Sequence, residues 1–218
     1  SDLSEVCEIQ MTEIVTVIQK GALAHNIIAW ARDGYGRSIN HRVSIKQLAG
    51  TTRAGVTVLF SPGDDWRHYI SINADKDVPD GVIYVRVFSD EKPSVAQLLT
   101  IYVVTDASSF LVPVRKTVTG IELDRHTLSL GIGTKTKIGY SIFPNGADIQ
   151  DVTWSTSDPG VVRIDENGNL IGVSKGNATV GVMTVDGGYV DTCNVSVGGQ
   201  RATGHRWQRV STRWRKGR

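Results

Sequence analysis

Short segments in which apolar and polar residues alternate fill the middle of the chain. Between residues 37 and 112 they read SINHRVSIKQL, GVTVLF, RHYISIN, VIYVRVF and QLLTIYVVT. A period of two places alternate side chains on one buried face, which predicts β-strands. Turn-forming sequences such as SPGDD and ADKDVPDG separate the segments. This succession predicts a β-sandwich over residues 37–113, with Ile39, Val43 and Ile45 on one face of its first strand.

The first 36 residues carry a less regular pattern. EIVTVI, at residues 13–18, alternates as a strand does. The following run, ALAHNIIAWARDG, fits either a short helix or a buried strand, because four of its apolar positions also have helical spacing: Leu23, Ile27, Trp30 and Ala31. We predict that residues 1–36 form an N-terminal docking segment separate from the sandwich.

A second series of strands and turns occupies residues 117–198. Val152 and Trp154 alternate on one face of a predicted strand, so that the tryptophan belongs to a core. Asn167 and Gly168 form the dipeptide typical of a two-residue hairpin, in which both residues take positive φ. Ala178 and further alternating residues begin another strand. These features predict a second sandwich, reached through a linker at residues 114–119.

Several spaced anchors in this second region resemble the bacterial immunoglobulin-like (Ig-like) domain of group 2. They are the first-strand pattern Val118–Leu123, the proline at Pro144, the VTWSTSD run Val152–Asp158, and the glycine-marked pattern Val161–Val180. The extra Pro159-Gly160 pair departs from the family pattern within a surface turn. The resemblance implies an Ig-like β-sandwich at residues 117–198, a module like those of phage virions and bacterial adhesins, and it brings no catalytic residues. With the sandwich at residues 37–113, the predicted fold is all-β, with tandem Ig-like β-sandwiches.

Charge is distributed unevenly along a chain of ordinary composition. The 218 residues have 40% hydrophobic content and a formal net charge of +2. Residues 199–218 contain seven basic and no acidic side chains, so the rest of the chain is acidic on balance. No apolar run is long enough to span a membrane. The acidic N-terminus does not resemble an export signal.

This basic tail, residues 199–218, is the predicted interaction site. Its sequence, GHRWQRVSTRWRKGR from residue 204, would place two tryptophans and a valine on one face of a helix, with arginines around them. Exposed tryptophan and arginine favour a protein partner over nucleic acid, an anionic membrane or a merely solubilising tail. The predicted partner-binding residues are Arg206, Trp207, Arg209, Val210, Arg213, Trp214, Arg215 and Lys216.

Other candidate chemistry is weaker. Asn73, Asp75 and Asp77 alternate like calcium ligands but lack the glycine and glutamate of an EF-hand loop, which favours a solvated turn. The acidic run at residues 165–169 is explained by its hairpin. The five histidines show no close pairing and are predicted to lie on the surface. Asp64, Asp65 and His68 form the one faint catalytic cluster. We predict no enzyme, cofactor or metal.

Two cysteines, Cys7 and Cys193, fit no metal-ligand spacing. A long-range disulfide stays open, but two free and partly buried thiols are favoured.

Together these patterns predict a structural component of a bacteriophage virion: a head decoration protein, head fibre or tail-associated protein. Its expected partners are other virion proteins and further copies of itself, with weak binding of a host-surface glycan and with neither nucleic acid nor membrane. It would assemble into the particle in the host cytoplasm. The alternative is an adhesin module at the bacterial cell surface.

Overall fold

A computed structural model of the protein describes residues 4–49, 54–63 and 65–198. Every regular element in these ranges is a β-strand, so the all-β prediction is confirmed. The strands are β1 (Val6–Met11), β2 (Val15–Gln19), β3 (His25–Asp33), β4 (Ser38–Ile39), β5 (Val43–Gln47), β6 (Val56–Pro62), β7 (Arg67–Ala74), β8 (Gly81–Ser89), β9 (Ala96–Val104), β10 (Gly120–Leu123), β11 (Thr127–Gly131), β12 (Lys135–Lys137), β13 (Tyr140–Phe143), β14 (Val152–Thr156), β15 (Val162–Ile164), β16 (Asn169–Gly172), β17 (Gly176–Thr184) and β18 (Val190–Gly198).

Contacts divide the chain into two compact units. In unit 1, strands β1, β3, β7 and β6 form one sheet in that order, with β4 added to β3. Strands β2, β9, β8 and β5 form the other sheet, in which β2 runs parallel to β9. The two sheets enclose a core of aliphatic side chains, of which Ile27, Ile70, Ile83 and Ile101 are fully buried.

The predicted boundary at residue 36 is wrong, because three strands that precede it belong to unit 1. Strand β3 is central in its sheet and pairs with both β1 and β7. The run that fitted either helix or strand is a strand in which Ile27 points into the core and Trp30 points outward. Strand pairing explains why this run is a strand and not a helix, because β1 and β7 form hydrogen bonds with the backbone N–H and C=O groups of β3 on both of its edges.

The segment SINHRVSIKQL also differs from its prediction. It forms two strands, not one: β4 pairs with β3, whereas β5 pairs with β8 in the opposite sheet. Ile39 and Ile45 nevertheless both pack against the core cluster that includes Val43. The chain crosses between sheets here, which a period of two cannot reveal.

Two short loops from later in the chain, residues 146–151 and 184–188, also belong to unit 1. Ile149 is buried in a small cluster with Leu48 and Tyr84. Asp186 accepts two hydrogen bonds from the Arg115 guanidinium, at 2.7 and 2.9 Å, and a third from the Val118 amide at 3.0 Å. The segment predicted as a linker is therefore attached to unit 1 by a carboxylate.

Unit 2 contains the remaining strands. Strands β11, β18, β17 and β14 form a four-stranded sheet, β12, β16 and β15 form a three-stranded sheet, and β10 pairs with β13. As in unit 1, an early strand runs parallel to the last one, here β11 beside β18. The core contains Ile138, Leu170 and Val180, with Trp154 packed against it, as the sequence predicted.

The hairpin between β15 and β16 is longer than the two-residue turn that was predicted. Asp165 and Asn169 close a loop of three residues, and the Gly168 amide donates to the Asp165 carbonyl at 3.2 Å. Gly168 has φ +78°, whereas no described non-glycine residue has a positive φ. This is the geometry of a turn followed by one left-handed residue. The Asp165 carboxylate accepts from the Asn167 and Asn169 amides, which keeps Asn167 in the right-handed region.

Candidate interaction surfaces

The predicted tail residues lie outside the described residues. This applies to Arg206, Trp207, Arg209, Val210, Arg213, Trp214, Arg215 and Lys216, and their role stays a prediction. The described residues offer a different surface with similar side-chain chemistry, on unit 1.

This surface, called the aromatic face, is the outer side of the sheet β1-β3-β7-β6. Trp30 and Ile28 on β3 lie opposite Arg67 and Tyr69 on β7. Leu59, on the edge strand β6, is 60% exposed, and Tyr69 on β7 and Trp66 just before β7 are each 37% exposed. The face therefore has an apolar centre that solvent reaches. Around it lie polar side chains of the same sheet: Gln10, Asn26, Thr57, Ser61, Ser71 and Asn73.

The aromatic side chains of this face are held in place by their neighbours. The Trp30 and Trp66 rings meet edge to face, with centroids 6.0 Å apart. The Arg67 guanidinium lies 5.5 Å from the Trp66 ring centre and pairs with the Asp65 carboxylate at 2.7 Å. This hydrogen-bonded pair lowers the pKa of Asp65 and raises the pKa of Arg67. Arg67 is therefore neutralised by its neighbour and fixed across the tryptophan.

A second group of side chains in unit 1 resembles a hydrolytic triad. His41 Nε2 lies 2.6 Å from Ser89 Oγ, and His41 Nδ1 lies 3.9 Å from the Glu91 carboxylate. Sequence spacing did not indicate this cluster, because strand pairing brings together residues 48 positions apart. A serine, a histidine and a carboxylate in this order could in principle perform acyl transfer.

The burial of the serine argues against catalysis at this cluster. Ser89 has no solvent exposure, so its Oγ cannot meet a substrate. The same oxygen accepts a hydrogen bond from the Lys92 amide at 2.9 Å, within the turn that joins β8 to β9. The carboxylate of Glu91 is 77% exposed and lies beyond hydrogen-bond distance of the histidine. These contacts stabilise a turn.

His68 is buried, and the prediction of a surface histidine is wrong there. Its side chain points into the sandwich and stacks on Phe60 with centroids 5.5 Å apart. Burial lowers the pKa of His68, and the nearby His41 lowers it further. Asp65, its neighbour in the faint catalytic cluster, instead pairs with Arg67 on the outside of the sheet. Successive residues of a strand point to opposite faces, so Arg67 holds Asp65 outside the sheet while His68 points inward.

The calcium-like run at Asn73, Asp75 and Asp77 and the two cysteines do not form a metal site among the described residues. Asn73 is a strand residue, and Asp77 pairs with Lys76 at 2.9 Å. In the described part of the chain, no three ligand-type side chains come together in a way that could hold a metal. Both cysteines are free, as favoured, but Cys7 is exposed and only Cys193 is buried. Burial raises the pKa of the Cys193 thiol.

Polar side chains occupy much of the outer faces of the two larger sheets of unit 2. On the four-stranded sheet, the Thr179 hydroxyl donates to the Asn194 side-chain oxygen at 3.2 Å, and the Ser196 hydroxyl donates to the Asn177 side-chain oxygen at 2.7 Å. These polar side chains therefore hydrogen-bond to one another. On the three-stranded sheet, Lys135 and Arg163 lie on the two outer strands, on either side of Ile171. Cations on outer strands discourage edge-to-edge pairing with another sheet.

A known protein family matches the part of the chain that contains unit 2. Residues 117–195 match the family model described as "Bacterial Ig-like domain (group 2)". The predicted resemblance is confirmed. The match covers all three sheets of unit 2 and most of its last strand, β18.

Curated relatives match a segment of similar length. An uncharacterized protein of Clostridium acetobutylicum is 35% identical over 80 residues, which cover 36% of this chain and 20% of the relative. An Ig-like virion protein of Serratia phage KSP90 is 30% identical over 81 residues, covering 37% of this chain and 31% of that protein. The polysaccharide lyase 8 family protein HylA of Enterococcus faecalis is 34% identical over 79 residues, or 35% and 6% of the two chains.

The chain thus spans a third or less of the length of these relatives. It contains an Ig-like domain that is similar to segments of a virion protein and of bacterial proteins, several of which are enzymes by name. Among the described residues, no helix is long and apolar enough to span a membrane.

Proposed function

We propose that the protein is a structural component of a bacteriophage virion that binds the particle and displays its β-sandwich units. The observation that supports this proposal is the similarity to the Ig-like virion protein of Serratia phage KSP90, which is 30% identical over 81 residues. Its position would be that of a head decoration protein, head fibre or tail-associated protein. Because Ig-like folds serve many roles, the fold identifies the type of module but does not indicate its role.

A non-catalytic role agrees with the side-chain chemistry of the described residues. The one serine, histidine and carboxylate cluster has a fully buried serine. Strongly hydrogen-bonded carboxylates, such as Asp33 with Arg37 and Asp165 with Asn169, close turns between strands. We therefore include the absence of enzymatic activity in the proposal.

Virion association can be tested directly with an antibody raised against the chain. After phage induction of the source strain, particles purified on a density gradient should carry the chain at a fixed ratio to the major capsid protein. Immunogold labelling should decorate those particles. Recovery of the chain in the cell envelope of uninduced cells, and not in particles, would contradict the proposal.

The attachment site proposed for the particle is the basic tail. A chain that ends after Thr203 should keep its β-sheet circular dichroism but be missing from purified particles. The double variant Trp207→Ala/Trp214→Ala should lower occupancy by at least tenfold, which corresponds to about 1.4 kcal/mol. A matched control in the same segment, Ser211→Ala/Thr212→Ala, should retain normal occupancy. Normal occupancy of the tryptophan variant would show that attachment lies elsewhere.

The bacterial relatives support a second candidate, an adhesin module at the bacterial cell surface that binds host or glycan surfaces. Polysaccharide lyase 8 family protein HylA carries a similar segment within a much longer chain. This candidate predicts envelope recovery without phage induction and binding of the isolated chain to surface polysaccharide. The fractionation described above distinguishes the two candidates.

A further inference from the structure

We propose that the aromatic face of unit 1 is a homodimer interface, in which a second copy of this chain packs its own aromatic face against it. The inference does not depend on the virion proposal. It starts from composition: Trp, Tyr and Arg are the residues that contribute most to protein interfaces, and here they share one sheet face with Leu59, an exposed residue of the edge strand β6. An apolar centre with a polar rim is the anatomy of a specific protein interface.

The aromatic face is prepared for binding by contacts within one copy. Trp66 is held between the edge-to-face contact with Trp30 and the guanidinium of Arg67, and Arg67 is itself held by Asp65. Side chains that are already ordered lose little conformational freedom on association. The arginine also covers the Trp66 ring, which argues against a sugar stacking on that ring and in favour of a protein surface.

The balanced charges of the face fit a second copy as the partner. Arg67 pairs with Asp65 in the same hairpin region, and Glu8 lies directly across the sheet from Arg32. Each of these charges therefore has an opposite charge beside it, and the face does not favour a strongly acidic or basic partner. Two identical faces related by a twofold axis would meet without net repulsion, with polar rims that supply both donors and acceptors.

The area of the aromatic face is large enough for a specific dimer interface. Four strands spaced about 4.8 Å apart, with about eight residues at about 3.3 Å each, present about 500 Å² per copy in projection. Two copies would bury about 1,000 Å² or more, which is the lower limit for a specific interface. Packing two sheets face to face at about 10 Å is also the ordinary geometry of β-sandwich interiors.

The test is the self-association of the full chain, measured by sedimentation equilibrium from about 1 to about 100 µM. The wild-type protein should change from one copy to two across this range. Leu59→Asp, which places a charge at the most exposed apolar side chain of the face, should weaken the dimer by about 30-fold or more. The matched control is Leu23→Asp, because Leu23 is 97% exposed in the same unit but lies off the face. This control should associate as the wild type does.

Circular dichroism and urea unfolding show whether both variants fold, which their exposure leads us to expect. A wild-type chain that stays monomeric would overturn the proposal. So would a dimer that Leu59→Asp leaves unchanged, which would locate association elsewhere, or an equal loss in both variants. A monomer whose Leu59→Asp variant loses binding to an immobilised glycan would assign the face to sugar instead, and would also overturn it.

Discussion

His68 shows most clearly how one residue acquires its properties from its neighbours. Its imidazole is buried between sheets, its Nδ1 has no hydrogen-bond partner among the described residues, and Phe60 covers one ring face. His41, Asp90 and Asp65 are the titratable groups that act on it electrostatically. Burial is the largest effect and favours the neutral imidazole.

We therefore predict acid sensitivity of unit 1. The pKa of His68 is lower in the folded than in the unfolded chain, so the unfolded chain binds the additional proton as the pH falls. The free energy of unfolding is unaffected by His68 above about pH 6.5 and decreases below it, until the folded-state pKa is passed. Urea unfolding between pH 7.5 and 5.5 measures this slope.

The variant His68→Leu should have a smaller decrease over the same pH range, because leucine fills the site without binding a proton. The carboxylates with lowered pKa values, such as Asp65 and Asp165, lose their stabilising charge only at more acidic pH. Equal slopes in the variant and the wild type would assign the acid sensitivity to another group.

At the scale of single elements, the β15–β16 hairpin depends on one glycine for two separate reasons. Gly168 has φ +78°, and a Cβ at this position would lie 2.8 Å from Cζ2 of Trp154. The hairpin and the core tryptophan therefore constrain each other. The sequence showed both residues, but only the folded chain brings them together.

Gly168→Ala should destabilise unit 2 by about 1–3 kcal/mol, through backbone strain and the clash with the tryptophan. Gly133→Ala separates the two effects, because Gly133 has φ +76° with open space around its Cα. That control should cost only about 1 kcal/mol. Urea unfolding followed by tryptophan fluorescence compares the variants, and equal losses would mean that contact with Trp154 is unimportant.

At the scale of the whole molecule, unit 1 is built from three separate stretches of chain. The two loops at residues 146–151 and 184–188 contribute Ile149 to an apolar cluster and Asp186 to an ion pair. The side chains of Arg115 and Asp186 are 22% and 8% exposed, so removal of one partner leaves a poorly solvated charge.

Asp186→Ala should therefore destabilise unit 1 by about 3 kcal/mol. It should also accelerate hydrogen exchange at the Val118 amide, which donates to the Asp186 carboxylate. Arg42→Ala is the control, because Arg42 forms a 3.6 Å pair with Asp90 while 88% exposed. Its effect should stay within about 0.5 kcal/mol. Unchanged exchange at Val118 in the aspartate variant would contradict the role given to this carboxylate.

The amino-acid sequence by itself determined the all-β class, most strands and the Ig-like module at residues 117–195. These properties depend on local periodicity, turn chemistry and closely spaced anchors such as Val152–Asp158. Tertiary structure decided the rest: that β1–β3 join unit 1, that Ser89 meets His41, and that Trp30, Trp66 and Tyr69 share one face. Strand pairing joins residues far apart in the chain, and its register sets which side chains are neighbours, so a local pattern could not reveal them.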